Sequence, residues 1–239
     1  MLEKDDIMKK TISKHMNEFI EFIKSNNAKN KIWYKIADKL NDLSVLIFNN
    51  KKGDTIKTQR VKVELVKLGH DLEKRVYANR LSKDGKQVEE INEHLKKIGR
   101  FDPYTNGFKE TEWLFDIHWY TDVEGEDYVP KSLDLVAECE WKKVREIKDN
   151  KGNNVKAKHR NANEIELSGI KYDFQKLLTS NAILKLMICR LSYKSEMISL
   201  KDYIIKTIKS NQQLKKGSHF LIICYLNEEK KIYFLRATS

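Results

Sequence analysis

The sequence predicts an α/β (α+β) architecture, a central mixed sheet flanked by helices, and three observations lead there. Apolar residues in the first 100 positions recur at spacings of three and four. From Glu112 to Trp141 the period changes to two. The remainder alternates helical patterns with short, nearly continuous apolar runs.

The elements follow in order. Asp5 and Asp6 cap a helix carrying Met8, Ile12, Met16, Phe19, Ile20 and Ile23, which ends at Ser25-Asn26-Asn27. A second helical pattern uses Ile32, Trp33, Ile36, Ala37, Leu40 and Leu43. These two form an N-terminal helical hairpin over residues 1–50, expected to lie outside the core of a second unit spanning 51–239. Beyond the Lys51-Lys52-Gly53-Asp54 turn, a third helix carries Val61, Leu65, Leu68, Leu72 and Val76. A short one, with Val88, Ile91, Leu95 and Ile98, ends on Gly99 as its C-cap. In Glu112 to Tyr120 the alternation sets Trp113, Phe115, Ile117 and Trp119 on one strand face and Leu114, Asp116, His118 and Tyr120 on the other. Thr121 to Pro130 turns the chain into a strand from Leu133 to Trp141. A turn-rich basic stretch follows. Then come a helix from Asn163 to Thr179, a strand from Ile183 to Leu191 and a helix over Leu200 to Ile208. A strand pair, His219 to Leu226 and Lys231 to Leu235, closes the order.

Composition narrows the function classes. The 239 residues hold 46 Lys+Arg against 35 Asp+Glu, a net charge of +11 that favours an anionic partner. The charge is uneven. Six bases meet six acids between Ser82 and Glu110, whereas Lys142 to Arg160 holds eight bases against Glu146 and Asp149. The longest apolar run, Phe220 to Leu226, is seven residues, far short of the roughly 20 a membrane helix needs. The opening MLEKDDIMKK has no secretory h-region. Cys139, Cys189 and Cys224 are widely spaced and each sits in an apolar stretch, as reduced core residues of a cytoplasmic protein do. No HExxH, GxGxxG, GxxxxGK[ST] or GxSxG pattern occurs, so zinc-peptidase, dinucleotide, P-loop and esterase chemistry lose their usual signatures.

The carboxylates carry the chemistry. Glu138 and Glu140 share a face of one strand, about 6.7 Å apart, and Asp116 lies on the polar face of its neighbour. If those faces coincide, three acids converge, which demands a cation or a shared proton. Hard oxygens in this number suit Mg²⁺ or Mn²⁺. The bland alternative is a half-exposed, solvated strand. Against it stand Leu135, Val136, Ala137, Cys139 and Trp141, which read as an interior strand where acids need compensation.

Asp116, a hairpin, Glu138-x-Glu140, and a helix bearing Asp173-Phe174-Gln175-Lys176-Leu177-Leu178 resemble the PD-(D/E)XK nuclease superfamily, which includes many restriction endonucleases. The resemblance covers Thr55 to Leu191, where the order helix, hairpin, helix, strand fits that superfamily's core. The chain departs in having Phe115 instead of proline before Asp116, and Glu140 where lysine is usual, an E-x-E variant. The resemblance implies a restriction-endonuclease-like sheet and a Mg²⁺- or Mn²⁺-dependent DNA endonuclease. Asp116, Glu138 and the Cys139 carbonyl would be metal ligands, with Glu140 on a second ion or acting as general base. Lys176 would supply the missing lysine from the helix, or else be a solvated partner of Asp173. Gln175 would orient substrate or water. Glu64, with Glu73 as competitor, would be the helix glutamate some members add to the metal. His118 reads as structural or phosphate-contacting. Lys142, Lys143, Arg145, Lys156, Lys158 and Arg160 would contact DNA phosphates, with double-stranded DNA favoured and a homodimer suited to cutting both strands. Lys201, Lys206, Lys209, Lys215 and Lys216 form a second basic region. The alternative is a catalytically inactive nuclease-fold protein that binds nucleic acid or a protein partner.

Overall fold

The computed structural model describes residues 28–49, 53–79, 81, 86–101, 114–126, 129–141, 146–148, 154–156 and 167–239. The helical pattern over Met8 to Ile23 lies outside these. Within them are six helices: α1 (Ala28–Asp42), α2 (Ser44–Phe48), α3 (Asp54–Asp71), α4 (Lys86–Lys97), α5 (Ser168–Thr179) and α6 (Lys194–Ser210). The strands are β1 (Arg75–Ala78), β2 (Ile117–Asp122), β3 (Pro130–Glu140), β4 (Glu146–Lys148), β5 (Asn154–Lys156), β6 (Leu184–Leu191), β7 (His219–Leu226) and β8 (Lys231–Thr238). No helix among the described residues is long and apolar enough to cross a membrane.

Six strands make one mixed sheet in the order β1-β2-β3-β6-β7-β8. β1, β2 and β3 form an antiparallel meander, β3, β6 and β7 run parallel, and β8 returns antiparallel. The two parallel steps need crossovers, which α5 and α6 supply. Alternation sorts the strand residues into two cores. One face, with Ile117, Trp119, Leu135, Ala137, Cys139, Leu186 and Ile223, packs under α1–α4. The other, with Val136, Met187, Cys189, Ile222 and Cys224, packs under α5 and α6.

Four sequence expectations are corrected. First, α3 stops at Asp71, and Glu73, in the left-handed region at φ 59°, reverses the chain into β1. Val76 therefore sits on a strand. Four residues are too few for a period of two to declare itself. Second, β2 begins at Ile117 and not at Glu112, because residues 114–116 form a bend. The bend breaks the alternation: Phe115 packs with the α5/α6 core and Leu114 is exposed. Third, the basic stretch after Trp141 contains the β4–β5 hairpin. Fourth, α1 and α2 are not outside the core. Trp33, Ile36, Leu40, Ile47 and Phe48 are buried against the sheet, and the Tyr225 hydroxyl donates to the Leu40 carbonyl at 2.6 Å.

α3 lies close to β1 and β2 because of Gly69. A Cβ there would stand 2.5 Å from Val76 Cγ2 and 2.8 Å from Trp119 Nε1, so only hydrogen fits. That approach fixes α3 over the start of β2.

Candidate functional site

In the β2/β3 ladder Ile117 faces Ala137. Asp116 precedes that ladder, in the bend, and Glu138 follows Ala137 on β3. The bend before β2 then fixes Asp116 from three sides. Its carbonyl accepts the Asn79 N–H at 2.9 Å, its Oδ2 accepts the Cys139 N–H at 2.9 Å, and its Oδ1 lies 2.9 Å from Lys62 Nζ. Lys62 comes from α3 and also donates to the Asn79 carbonyl.

Glu138 points to the opposite core from Cys139 and is 2% exposed. α5 covers it. Ile170, Phe174, Leu177 and Leu178 face the sheet, which brings Asp173 and Lys176, three residues apart on the helix, to the edge of the packed face. Lys176 Nζ lies 2.8 Å from Glu138 Oε1 and 2.9 Å from Asp173 Oδ1. Lys176 thus pairs with Asp173, but as a largely covered lysine and not a solvated one, and it reaches Glu138 as well.

Burial, followed by the Asp116 carboxylate, pushes the Glu138 carboxyl well above its ordinary range, with Lys176 pulling the other way. Burial works against the Lys176 charge, but the Glu138 and Asp173 carboxylates outweigh it and hold the ammonium above its usual value. Burial and then Asp116 push the Cys139 thiol up, so it is neutral here.

The site is thus three carboxylates interleaved with two lysines. Glu140 follows on the Glu138 face, half-buried at the end of β3. The expected convergence of Asp116, Glu138 and Glu140 into a cage does not form: among the described residues no three of His, Cys, Asp and Glu are placed to hold a metal together. Asp116 and Glu138 nevertheless both offer hard oxygens, and the Cys139 N–H is bonded to Asp116. A buried glutamate whose ionisation is penalised is the group a divalent cation would relieve. The donor set fits Mg²⁺ or Mn²⁺ in its chemistry.

Other expected residues sit elsewhere. Glu64 belongs to a network on the outer side of α3, 3.2 Å from Arg60 and 3.8 Å from Lys67, both of which also pair with Glu90 of α4. Glu73 occupies the turn before β1. Gln175 donates to the Tyr203 hydroxyl at 3.3 Å, away from Glu138. His118 is buried, its ring stacked on Tyr77 at 5.1 Å, and burial, then Arg75, lowers its pKa to about 4. Lys142, Lys143, Arg145, Lys158 and Arg160 lie outside the described residues, as does the Lys156 side chain; Lys156 itself pairs with Glu146 across β4–β5.

Lys62 is the site residue the sequence did not single out. On a helix where Val61, Val63, Leu65 and Val66 are all buried, it is 3% exposed. Its one visible signal is a lysine inside an apolar run, and many such lysines snorkel to water instead.

The chain matches no protein-family model, no curated protein and no solved structure.

Proposed function

We propose that the protein is a metal-dependent DNA endonuclease of the PD-(D/E)XK type, with a restriction-endonuclease-like core formed by α3, β1–β3, α5 and β6. The observation that carries this reading is Asp116, in the bend before β2, bonded to the Cys139 N–H next to Glu138 on β3, with Lys176 reaching Glu138 from α5. The helix, hairpin, helix, strand order around it is the one the resemblance implies. Asp116, Glu138 and the Cys139 carbonyl would hold Mg²⁺ or Mn²⁺, which when bound neutralises phosphate charge and acidifies its water. Lys62 holds Asp116 in place. Lys176 would donate to a phosphate oxygen, and Glu140, at the end of β3, would take the proton of the attacking water. Double-stranded DNA is the favoured substrate, and two-strand cleavage would call for a homodimer. The three free, buried thiols suit a reducing cytoplasm.

The purified chain should cut duplex DNA with Mg²⁺ or Mn²⁺ and stop on chelation. Loss of a group behind a metal ligand already costs roughly 10–100-fold, so Asp116→Ala should cost more than that. Unchanged cleavage by Asp116→Ala would sink the assignment.

A second reading rests on the lysines. Lys62 and Lys176 already balance Asp116 and Glu138, as suits a nuclease-like fold that binds nucleic acid or a protein without cutting. Calorimetric titration with Mn²⁺ separates the two. Salt-sensitive DNA binding with no metal heat would favour the second.

A further inference from the structure

Away from the carboxylates, three cations from three elements gather at the C-terminal edge of the parallel strands. Arg190 is next to last in β6. Lys57 lies in the first turn of α3, beside Thr58, which accepts the Trp141 indole N–H at 2.7 Å just beyond β3. Lys230 is in the turn that leaves β7. A single carboxylate oxygen serves two of them: Asp54 Oδ1 lies 3.1 Å from Arg190 Nη2 and 3.7 Å from Lys57 Nζ. Lys57 is 1% exposed, yet its paired acid is 37% exposed and beyond close hydrogen-bond range. The acids of the β7–β8 turn are engaged elsewhere. Glu228 accepts the Lys194 N–H at 3.0 Å, and Glu229 pairs with Lys231 at 3.2 Å and accepts from Tyr233 at 2.7 Å. Lys230 instead lies 5.5 Å from the centre of the Phe48 ring.

A buried cation is normally matched by a well-bonded anion. Here Lys57 and Arg190 share one half-exposed carboxylate and Lys230 lies against the Phe48 ring, so among the described residues the cluster is short of negative charge. Burial, then Arg190, pushes the Lys57 ammonium below its ordinary value, with Lys230 adding to the effect and Asp54 opposing it.

We propose that Lys57, Arg190 and Lys230 form an anion site for a phosphate group, and that its occupant is a backbone phosphate of the DNA held at Asp116 and Glu138. The second half rests on the nuclease reading. The spacing suits it. Lys57 lies five residues before Lys62, the partner of Asp116, on the same helix, roughly 7.5 Å along its axis. A DNA strand advances about 3.4 Å per phosphate along its axis, which puts the cluster a few nucleotides from the cut.

The test is duplex binding by the full chain in chelator, followed over a salt series, with inorganic phosphate as the second probe. Each lost phosphate contact lowers the slope of log K against log salt by about 0.9. Lys230→Gln, outside the Asp54 pair, and Arg190→Gln should each weaken binding several-fold and make that slope less steep, while Lys131→Gln, exposed at the far end of β3, should not. A normal melting curve for Lys230→Gln shows that the loss is not unfolding. Suppose instead that inorganic phosphate perturbs the Arg190 side-chain NMR signal but no duplex binds. The site then takes free phosphate, and the polynucleotide half falls. Unchanged slopes with no phosphate response would overturn the proposal. Cleavage by Asp116→Ala tests the nuclease reading separately.

Discussion

Glu138 and Lys185 are both buried on the α5/α6 face of the sheet, and they are handled differently. Glu138 receives a cation, Lys176, from a helix. Lys185 pairs with no carboxylate among the described residues and donates to the Ser180 and Ala182 carbonyls at 2.9 and 2.7 Å. Buried histidines give the clearest solution signature. Burial, then Arg100 for His70 and Arg75 for His118, lowers both from 6.5 to about 4. A depressed histidine is neutral in the fold while the unfolded chain takes up a proton below pH 6.5. Stability is therefore fully present above pH 6.5 and is lost as the pH falls toward 4, by up to about 3 kcal/mol per group. Denaturant melts across that range should show a steep acid limb. His118→Phe, which keeps the ring on Tyr77, should flatten it by about half. An equally steep limb would mean that His118 is not held neutral.

At the level of elements, the contact between α3 and the β1–β2 pair sets where Asp116 goes. It depends on Gly69, whose missing Cβ admits Val76 and Trp119. Gly69→Ala should push α3 off the sheet and cost about 1–3 kcal/mol, the usual penalty of overpacking, read as a lower denaturant midpoint. Because Lys62 and Asp116 face each other across this contact at 2.9 Å, the same change should reduce DNA cleavage by more than the fraction unfolded explains. Most elements were legible from periodicity. α4 with Gly99 at φ 71°, β6, β7 and β8 fall where apolar spacing puts them, within a few residues, while α5 begins later, at Ser168, and α6 earlier, at Lys194, than the spacing indicates. β1 was not, since a four-residue strand behind a left-handed Glu73 looks like the tail of a helix. The start of β2 was misjudged because a bend keeps the residue composition of a strand while abandoning its hydrogen bonds.

For the molecule as a whole, α1 and α2 are structural members. Deleting residues 1–50 would strip Trp33, Ile36, Leu40, Ile47 and Phe48 from the sheet. Loss of one large buried side chain costs about 2–5 kcal/mol, and total stability is about 5–15 kcal/mol. The 51–239 fragment should therefore show no cooperative melting transition by calorimetry; a normal one would make the first 50 residues a separate unit after all. The sequence by itself determined the mixed α/β class, the β2–β3 hairpin and the candidate acids Asp116 and Glu138, because alternation and apolar spacing are local properties of the chain. It also marked Lys176, but left two environments open for it. Only the tertiary structure decided that Lys176 bridges Glu138 and Asp173, that Lys62 secures Asp116, that Glu64 turns outward to Arg60, and that α1 and α2 share the core. Each of these depends on which helix face meets which strand end, and that is set by packing between segments far apart in the chain.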